Sequence, residues 1–391
     1  MKLGIVFYNK GRKGGAERRY YSLICELSKS RKIYIVANSS VIDTWNKYGG
    51  FNEDVIVEYL IKDINEVGGS KVKKESQVNG SIKNIIKKFF PKKMRSLLST
   101  MVYIFRLNIC VFKWVMKHKI THINTVQASG ILVIFAKLLR CKIIFSYNDY
   151  MVENGYPFRW LSNQGLKTVA RVSDRFDFLS EMIPKKMKEK GLKLKSSKIN
   201  TPPTSFTNYS KFNISFPKKR KVVFSGRLES IKNPFLALEV AKELKKRNIS
   251  YTLIMLGDGK LRADLENFIK INQLGSHVRI FLANHVEDEL RDSLIFLSLQ
   301  KENNYPSQAL LEAMASGCIP IVTDVGETRK IVNDKTGYLV KENVNQIVDI
   351  ISHIFDNINH FEKRGKEIRE IVLQNFNVES YLKYYLALFQ F

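Results

Sequence analysis

Residues 222–234 read VVFSGRLESIKNP: a short apolar run, a Ser-Gly-Arg turn and an Asn-Pro pair at the start of a helical pattern. The apolar run has no polar residue to face water, which fits a parallel strand covered on both faces. Asn233 is placed to cap the next helix and Pro234 to fill its first turn. A buried strand feeding a helix through a glycine is the repeating unit of a doubly wound α/β sheet. In such sheets ligands bind outside the carboxyl ends of the strands, where Gly226 permits close backbone approach. Arg227 and Lys232 then form a pair of cations able to face a diphosphate; the alternative is two ordinary surface cations in a loop.

The same alternation extends through the second half. Strand-like runs at 251–256, 278–282, 295–299 and 319–323 alternate with helical patterns such as 234–246. One strand ends in Gly257-Asp258-Gly259, a turn whose glycines also permit close approach. Residues 302–317, ENNYPSQALLEAMASG, carry the strongest signal. Pro306 is expected to begin a helix that Gly317 ends. The free amides of Ser307, Gln308 and Ala309 would form a positive terminus suited to phosphate, with Glu312 farther along where it can grip a sugar hydroxyl. Leu310, Leu311 and Met314 are expected in the core.

The first half repeats the grammar. Residues 2–8 (KLGIVFY) read as a buried strand; a glycine loop follows, and Ala16, Tyr20, Leu23, Ile24 and Leu27 recur at helical spacing before the strand-like KIYIVA at 32–37. Further runs at 120–125, 142–147 and 176–179 complete a parallel sheet flanked by helices. Periodicity lapses between Thr201 and Arg220, a proline- and charge-bearing linker. The expected domains are therefore 1–205 and 206–375, with a closing helix in 376–391. A basic insertion near 67–95 interrupts the first: from Lys71 to Arg95 there are nine Lys or Arg and one acid. Within it Ile82, Ile85, Ile86, Phe89 and Phe90 recur at three and four with Lys83, Lys87 and Lys88 between them, the pattern of an interfacial membrane helix.

With 391 residues, 45% hydrophobic and 26% charged, the chain has the composition of a two-domain globular protein. Residues 1–200 hold 38 Lys and Arg against 15 Asp and Glu, whereas residues 201–391 hold 26 against 22. A field confined to one lobe points to a polyanionic partner of that lobe, an anionic membrane or a nucleic acid. The four cysteines lie far apart, which suggests reduced thiols in the cytoplasm rather than disulfides or a metal site. Residues 2–8 are strand-like, so no signal peptide is expected, and Arg106, Asn108 and Lys113 argue against a membrane span over 97–116.

Taken together, Ser225-Gly226-Arg227-Leu228, Lys232-Asn233, Gly257-Asp258-Gly259, the helix at 306–317, residues 320–327 and Thr336-Gly337 resemble the donor domain of the retaining family-4 glycosyltransferases. Gly14-Gly15-Ala16-Glu17-Arg18 is similar to the loop this family places against donor and acceptor. The resemblance implies the GT-B fold, two doubly wound Rossmann-like domains facing a central cleft. It also implies that Arg227 and Lys232 bind the donor diphosphate and that Glu312 holds the ribose. The family has a second glutamate eight residues before that one; here Asn304 stands there and Glu302 two residues earlier, so the sugar contact is open between them. Where the family tends to have a histidine, Ser146-Tyr147-Asn148-Asp149 places Asn148, which with Arg227 and Lys232 completes the expected catalytic set: either Asn148 makes the sugar contact as a neutral hydrogen-bonder or the sugar site differs here; His118 and His122 are read as structural or surface residues.

What the resemblance implies is sugar transfer with retention from a nucleotide sugar, of UDP or GDP type, to a glycan or lipid-linked glycan in bacterial surface polysaccharide synthesis. Departing diphosphate charge would be met by cations and helix amides, with no metal and no cofactor beyond the donor substrate. The enzyme would sit in the cytoplasm, peripheral on the inner face of the membrane. Two rivals are a glycosyltransferase-like subunit that binds without catalysis, suggested by Asn304 and Asn148, and a basic nucleic-acid-binding protein. The latter lacks a stacking-aromatic signature or recognition-helix module, so no nucleic-acid partner is expected.

Overall fold

Runs such as LGIVF and IYIVA do become strands buried on both faces. The computed structural model describes residues 1–9, 15–60, 92–148, 159–303 and 305–390. The chain divides into two units, Met1–Pro202 with Leu382–Phe391, and Pro203–Tyr381. The basic insertion, including Lys83, Lys87 and Lys88, lies almost wholly outside the described residues.

Among the described residues, the first unit has seven strands: β1 (Leu3–Phe7), β2 (Ile33–Ala37), β3 (Val55–Tyr59), β4 (His122–Val126), β5 (Lys142–Tyr147), β6 (Arg175–Phe178) and β7 (Ile199–Asn200). All pair in parallel in the order β3-β2-β1-β4-β5-β6-β7. Its helices are α1 (Gly15–Ser28), α2 (Ser39–Lys47), α3 (Lys92–His118), α4 (Arg159–Val172) and α5 (Met182–Glu189). The strand order reverses between β1 and β4, which opens a crevice at their carboxyl ends.

By length and composition, the Leu97–His118 part of α3 could cross a membrane. In this fold it serves as a layer helix: Leu107, Val111, Trp114 and Val115 are buried in the core of the first unit, and the Asn108 amide donates to the Ile131 carbonyl at 2.9 Å. The opposite face leaves Leu98, Met101, Val102 and Phe105 exposed, a stripe at helical spacing.

The second unit repeats the design with β8 (Lys219–Ser225), β9 (Thr252–Leu256), β10 (Val278–Phe281), β11 (Ser293–Ser298), β12 (Ile319–Thr323) and β13 (Tyr338–Val340). They form one parallel sheet in the order β10-β9-β8-β11-β12-β13. Helices α6 (Pro234–Lys246), α7 (Arg262–Ile271), α8 (Val286–Leu290), α9 (Gln308–Ala315), α10 (Val344–Asp356) and α11 (Ile358–Asn375) follow in the chain. The reversal falls between β8 and β11, so the turn after β8 lies at the switch point. Each unit is thus a doubly wound, Rossmann-like fold, the pair of folds expected of a GT-B chain.

The final helix, α12 (Val378–Ala387), carries the chain back to the first unit from Leu382 onward. There the Arg175 guanidinium donates to the carbonyls of Ala387, Leu388 and Gln390 at 2.9, 3.1 and 2.6 Å, satisfying acceptors that a helix end leaves open.

Layer spacing in the first unit depends on one missing methyl. A Cβ on Gly4 of β1 would lie 2.5 Å from Trp114 Cη2 and 2.9 Å from Ile120 Cγ2, and Trp114 is itself buried. Gly4→Ala should therefore act as an overpacking substitution and cost about 1–3 kcal/mol, read as a lowered urea midpoint at unchanged slope. Wild-type stability would show that α3 is not packed against β1 as described.

Candidate functional site

At the carboxyl edge of the second sheet, the turns leaving β8 and β9 are docked backbone to backbone. Gly226 N–H donates to the Leu256 carbonyl at 2.9 Å, Leu228 N–H to Asp258 at 3.0 Å, and Leu261 N–H to Leu228 at 3.0 Å. A Cβ on Gly257 would stand 1.9 Å from the Gly226 carbonyl oxygen, and one on Gly259 would stand 2.5 Å from that of Leu228. The space those glycines leave is thus filled by the chain itself, and the role expected for Gly257, room for a ligand, is taken first by this docking.

The docked turns fix the two cations differently. Arg227 is exposed and pairs with Glu229 at 2.9 Å. Lys232 is drawn inward, and its Nζ donates to Gln300 Oε1 at 2.7 Å, tying the β8 turn to the exit of β11. Burial, then the charge of Arg227, lowers the Lys232 pKa to about 8, against a partial counter-effect from Glu229. Asn233 does not cap α6 through its side chain as expected. It sits in the left-handed region (φ 54°, ψ 49°), and its amide donates to Glu342 Oε2 at 3.0 Å; Pro234 holds the first helical position.

The exit of β11 supplies the other wall. Gln300 donates to Ser298 Oγ at 3.1 Å, and its carbonyl accepts from Thr323 Oγ1 at 2.5 Å. Asn303 Oδ1 accepts from the amides of Tyr305 and Glu327, both at 3.1 Å, clamping this loop to the one after β12. Glu302 is exposed, and Asn304 lies outside the described residues. Helix α9 starts at Gln308, two residues later than Pro306. Ser307 is extended and its hydroxyl accepts the Leu310 amide, so it acts as the N-cap and its own N–H precedes the first turn. The first-turn amides of Gln308 and Ala309 have no acceptor within the helix. The Gln308 side chain is committed to the Phe206 carbonyl at 2.8 Å. Glu312 is buried on α9 and accepts from Thr207 Oγ1 at 3.4 Å, and Gly317 (φ 72°) follows the helix end.

The structure therefore joins Lys232 to the exit of β11 and places Arg227 close enough to act on it electrostatically. It gives Glu312 a structural partner of its own. Gln300, Asn303, Thr207 and Glu342 were missed by sequence reasoning; a polar residue just past an apolar strand, as at Gln300, is the one signal available.

In the first unit Gly14 lies outside the described residues, while Gly15 is exposed at the start of α1. Two residues on, Glu17 is buried and accepts from the Asn9 amide, and its carbonyl takes the Trp45 indole N–H at 3.0 Å. Asn148, just past β5, accepts from Arg19 Nη2 at 3.1 Å. Beneath it Asp177 is fully buried, which raises its pKa against the opposing pull of Ser146, Arg19 and Tyr384. His118 is a structural partner of Glu58 at 2.5 Å, and His122 lies beside Thr121 at 2.9 Å.

Residues 205–371, all within the second unit, match the family model described as glycosyl transferases group 1. A Campylobacter jejuni enzyme named as an α-1,4-N-acetyl-D-galactosaminyltransferase acting on an undecaprenol-diphosphate-linked glycan is 36% identical over 86 residues, 22% of this chain and 23% of that protein. The Staphylococcus aureus poly(ribitol-phosphate) α-N-acetylglucosaminyltransferase is 25% identical over 179 residues, 44% of this chain and 36% of that one. The matches thus span about a quarter to a third of these relatives. The solved structure of Anabaena Alr3699/HepE with UDP and glucose superimposes with a TM-score of 0.71 at 12% identity, covering 99% of this chain and 98% of that one, which is a likeness of fold.

Desolvation makes the Lys232 ammonium costly to keep charged. Because its folded pKa lies below that of a free lysine, Lys232 penalises the unliganded fold at neutral pH, and this penalty fades as pH rises through about 8. Lys232→Met should raise the melting temperature of the unliganded protein at pH 7 by roughly 2–4 °C. A drop in melting temperature would show that the ammonium stabilises the resting fold.

Proposed function

From a chain whose second unit matches the glycosyl transferases group 1, we propose a retaining, metal-independent glycosyltransferase that takes its sugar from a nucleotide diphosphate donor. The observation that carries this reading is Lys232, a half-buried cation at the switch point of the second sheet whose ammonium donates to Gln300 and feels the charge of Arg227. Arg227 at the rim supplies a second cation, and the first-turn amides of Gln308 and Ala309 supply neutral donors for phosphate oxygens.

Cleaving the sugar–phosphate bond develops charge on the departing diphosphate, and fixed donors around it lower the barrier without reorganising. In this proposal the leaving phosphate oxygen takes the proton of the acceptor hydroxyl, and the acceptor enters on the face the phosphate leaves, which retains configuration. Glu312 would hold the ribose by exchanging its Thr207 contact. Glu302 or Asn304 would face the transferred sugar, with Gly15 and Gly14 near the reacting groups.

Thermal shift against UDP-, GDP- and ADP-sugars should give a stabilising response to one nucleotide class that Arg227→Ala and Lys232→Met abolish. Transfer should survive EDTA, and kcat should fall about 10²–10³-fold in Lys232→Met. Because the ammonium must be protonated to meet the diphosphate, affinity should be flat below pH 7 and decline as pH rises through about 8. Absence of a response to every nucleotide sugar, or inverted product stereochemistry by NMR, would refute the reading.

The acceptor we propose is a glycan, or a glycan on a lipid diphosphate as in the name of the Campylobacter relative, used in surface polysaccharide synthesis at the inner face of the membrane. Support comes from the surplus of cations in residues 1–200 and from the exposed stripe Leu98, Met101, Val102 and Phe105 on α3. Vesicles containing phosphatidylglycerol should sediment the protein and neutral vesicles should not. Changing Met101, Val102 and Phe105 to Ser should weaken sedimentation several-fold, and unchanged binding would remove α3 from the contact.

A further inference from the structure

At its amino edge the sheet of the second unit begins on charge. β8 opens with Lys219, Arg220 and Lys221, Ser250 and Tyr251 lead into β9 at Thr252, and β10 carries Arg279. This edge is the one opposite Lys232, and β8, seven residues or about 20 Å long, runs from one to the other. Parallel pairing sets Lys221 beside Thr252, and Val223 beside Ile254, which in turn stands beside Arg279. Side chains alternate along a strand and match across neighbours, so Lys221, Thr252 and Arg279 share one face. With Lys219, Ser250 and Asp292 they line a cavity of about 290 Å³, wholly within the second unit.

The cations around this cavity are committed to different degrees. Lys219 Nζ meets Asp292 Oδ2 at 2.7 Å, while Lys221 Nζ meets Asp292 Oδ1 at 2.9 Å and Glu289 Oε2 at 2.7 Å. Arg220 turns to α10, where it donates to the Phe355 carbonyl at 3.2 Å. Arg279 is exposed and lies over the Phe281 ring at 5.9 Å, and its guanidinium has no hydrogen bond or ion pair among the described residues. The hydroxyls of Ser250 and Thr252 have none among them either. Lys219, Lys221 and Arg279 thus stand against Asp292 and Glu289, and the surplus positive charge sits on Arg279.

A guanidinium presents a planar fork of N–H donors, and a hydroxyl donates as well as accepts. A fork, two hydroxyls and two ammoniums already fixed in place suit a tetrahedral group with three terminal oxygens better than a carboxylate, which offers two. The volume is at the small end for ligand pockets, which suits a compact headgroup. We propose that this cavity is a second anion site, taking a phosphoryl group carried by inorganic phosphate, by a small phosphorylated molecule or by a lipid headgroup. Arg279 is its main ligand, and Ser250 and Thr252 complete the contact. The site shares no residue with the donor turn and does not depend on the nucleotide-sugar reading.

Calorimetric titration of the full chain with inorganic phosphate and with diphosphate tests this. A background of Arg227→Ala and Lys232→Met silences the donor turn, and chloride holds the ionic strength. A binding event should remain there, weakened at least about tenfold by Arg279→Gln and about threefold by Thr252→Val. Arg279→Lys, which keeps the charge and loses the fork, should fall between Arg279→Gln and the parent. Unchanged affinity in Arg279→Gln overturns the site, and so does full affinity in Arg279→Lys, which would reduce the contact to unspecific charge. Because Arg279 is exposed, its variants should keep the parent melting temperature, and that measurement separates lost binding from lost folding.

Vesicles distinguish the source of the phosphoryl group. If neither free ion binds, sedimentation with phosphatidic acid that Arg279→Gln weakens, with no such effect on phosphatidylglycerol, assigns a lipid headgroup. An effect on both lipids or on neither overturns the proposal. A chain that binds no nucleotide sugar and still shows the Arg279-dependent event loses the donor reading and keeps this one.

Discussion

A lysine ammonium drawn partly out of water is the constraint around which the edge of the second sheet is arranged. Lys232 donates to the neutral oxygen of Gln300, and burial, with the charge of Arg227, brings its pKa to about 8. Keeping it there requires a turn that cannot drift, and the glycines at 257 and 259 provide one by letting neighbouring backbones touch. A methyl at either position would push the two turns apart. The parallel sheet beneath does the rest, since its reversal between β8 and β11 brings the Lys232 turn and the Gln300 strand end side by side.

The first unit buries more polar groups together. Asp177, Ser146, Asn124 and three tyrosines are joined by hydrogen bonds, with the charge of Arg19 set against that of Asp177. Networks of this kind rigidify the interior they occupy.

Much of the architecture was legible in the sequence because parallel strands are written as apolar runs. IPIVT at Ile319–Thr323 and KIIFSY at Lys142–Tyr147 fall where the periodicity places them. VIVEY at Val55–Tyr59 did not stand out, being an edge strand with partly exposed residues, and the two-residue β7 is too short to carry a pattern. At the site, residue types were readable and partners were not. A Gly-Asp-Gly turn says that something approaches closely, but only the fold shows that it is the Gly226 carbonyl. Nothing local announces that Ser307 rather than Pro306 sets the start of α9, or that Arg19 meets a residue 129 positions away.

The return of residues 382–390 to the first unit has a consequence for biogenesis. Tyr384 and Tyr385 complete that unit's hydrogen-bonded interior, and Arg175 anchors the last carbonyls. On the nascent chain these residues follow the entire second unit. The polar interior of the first unit is therefore completed only once residues 382–390 have emerged, and the second unit can close its own sheet before then.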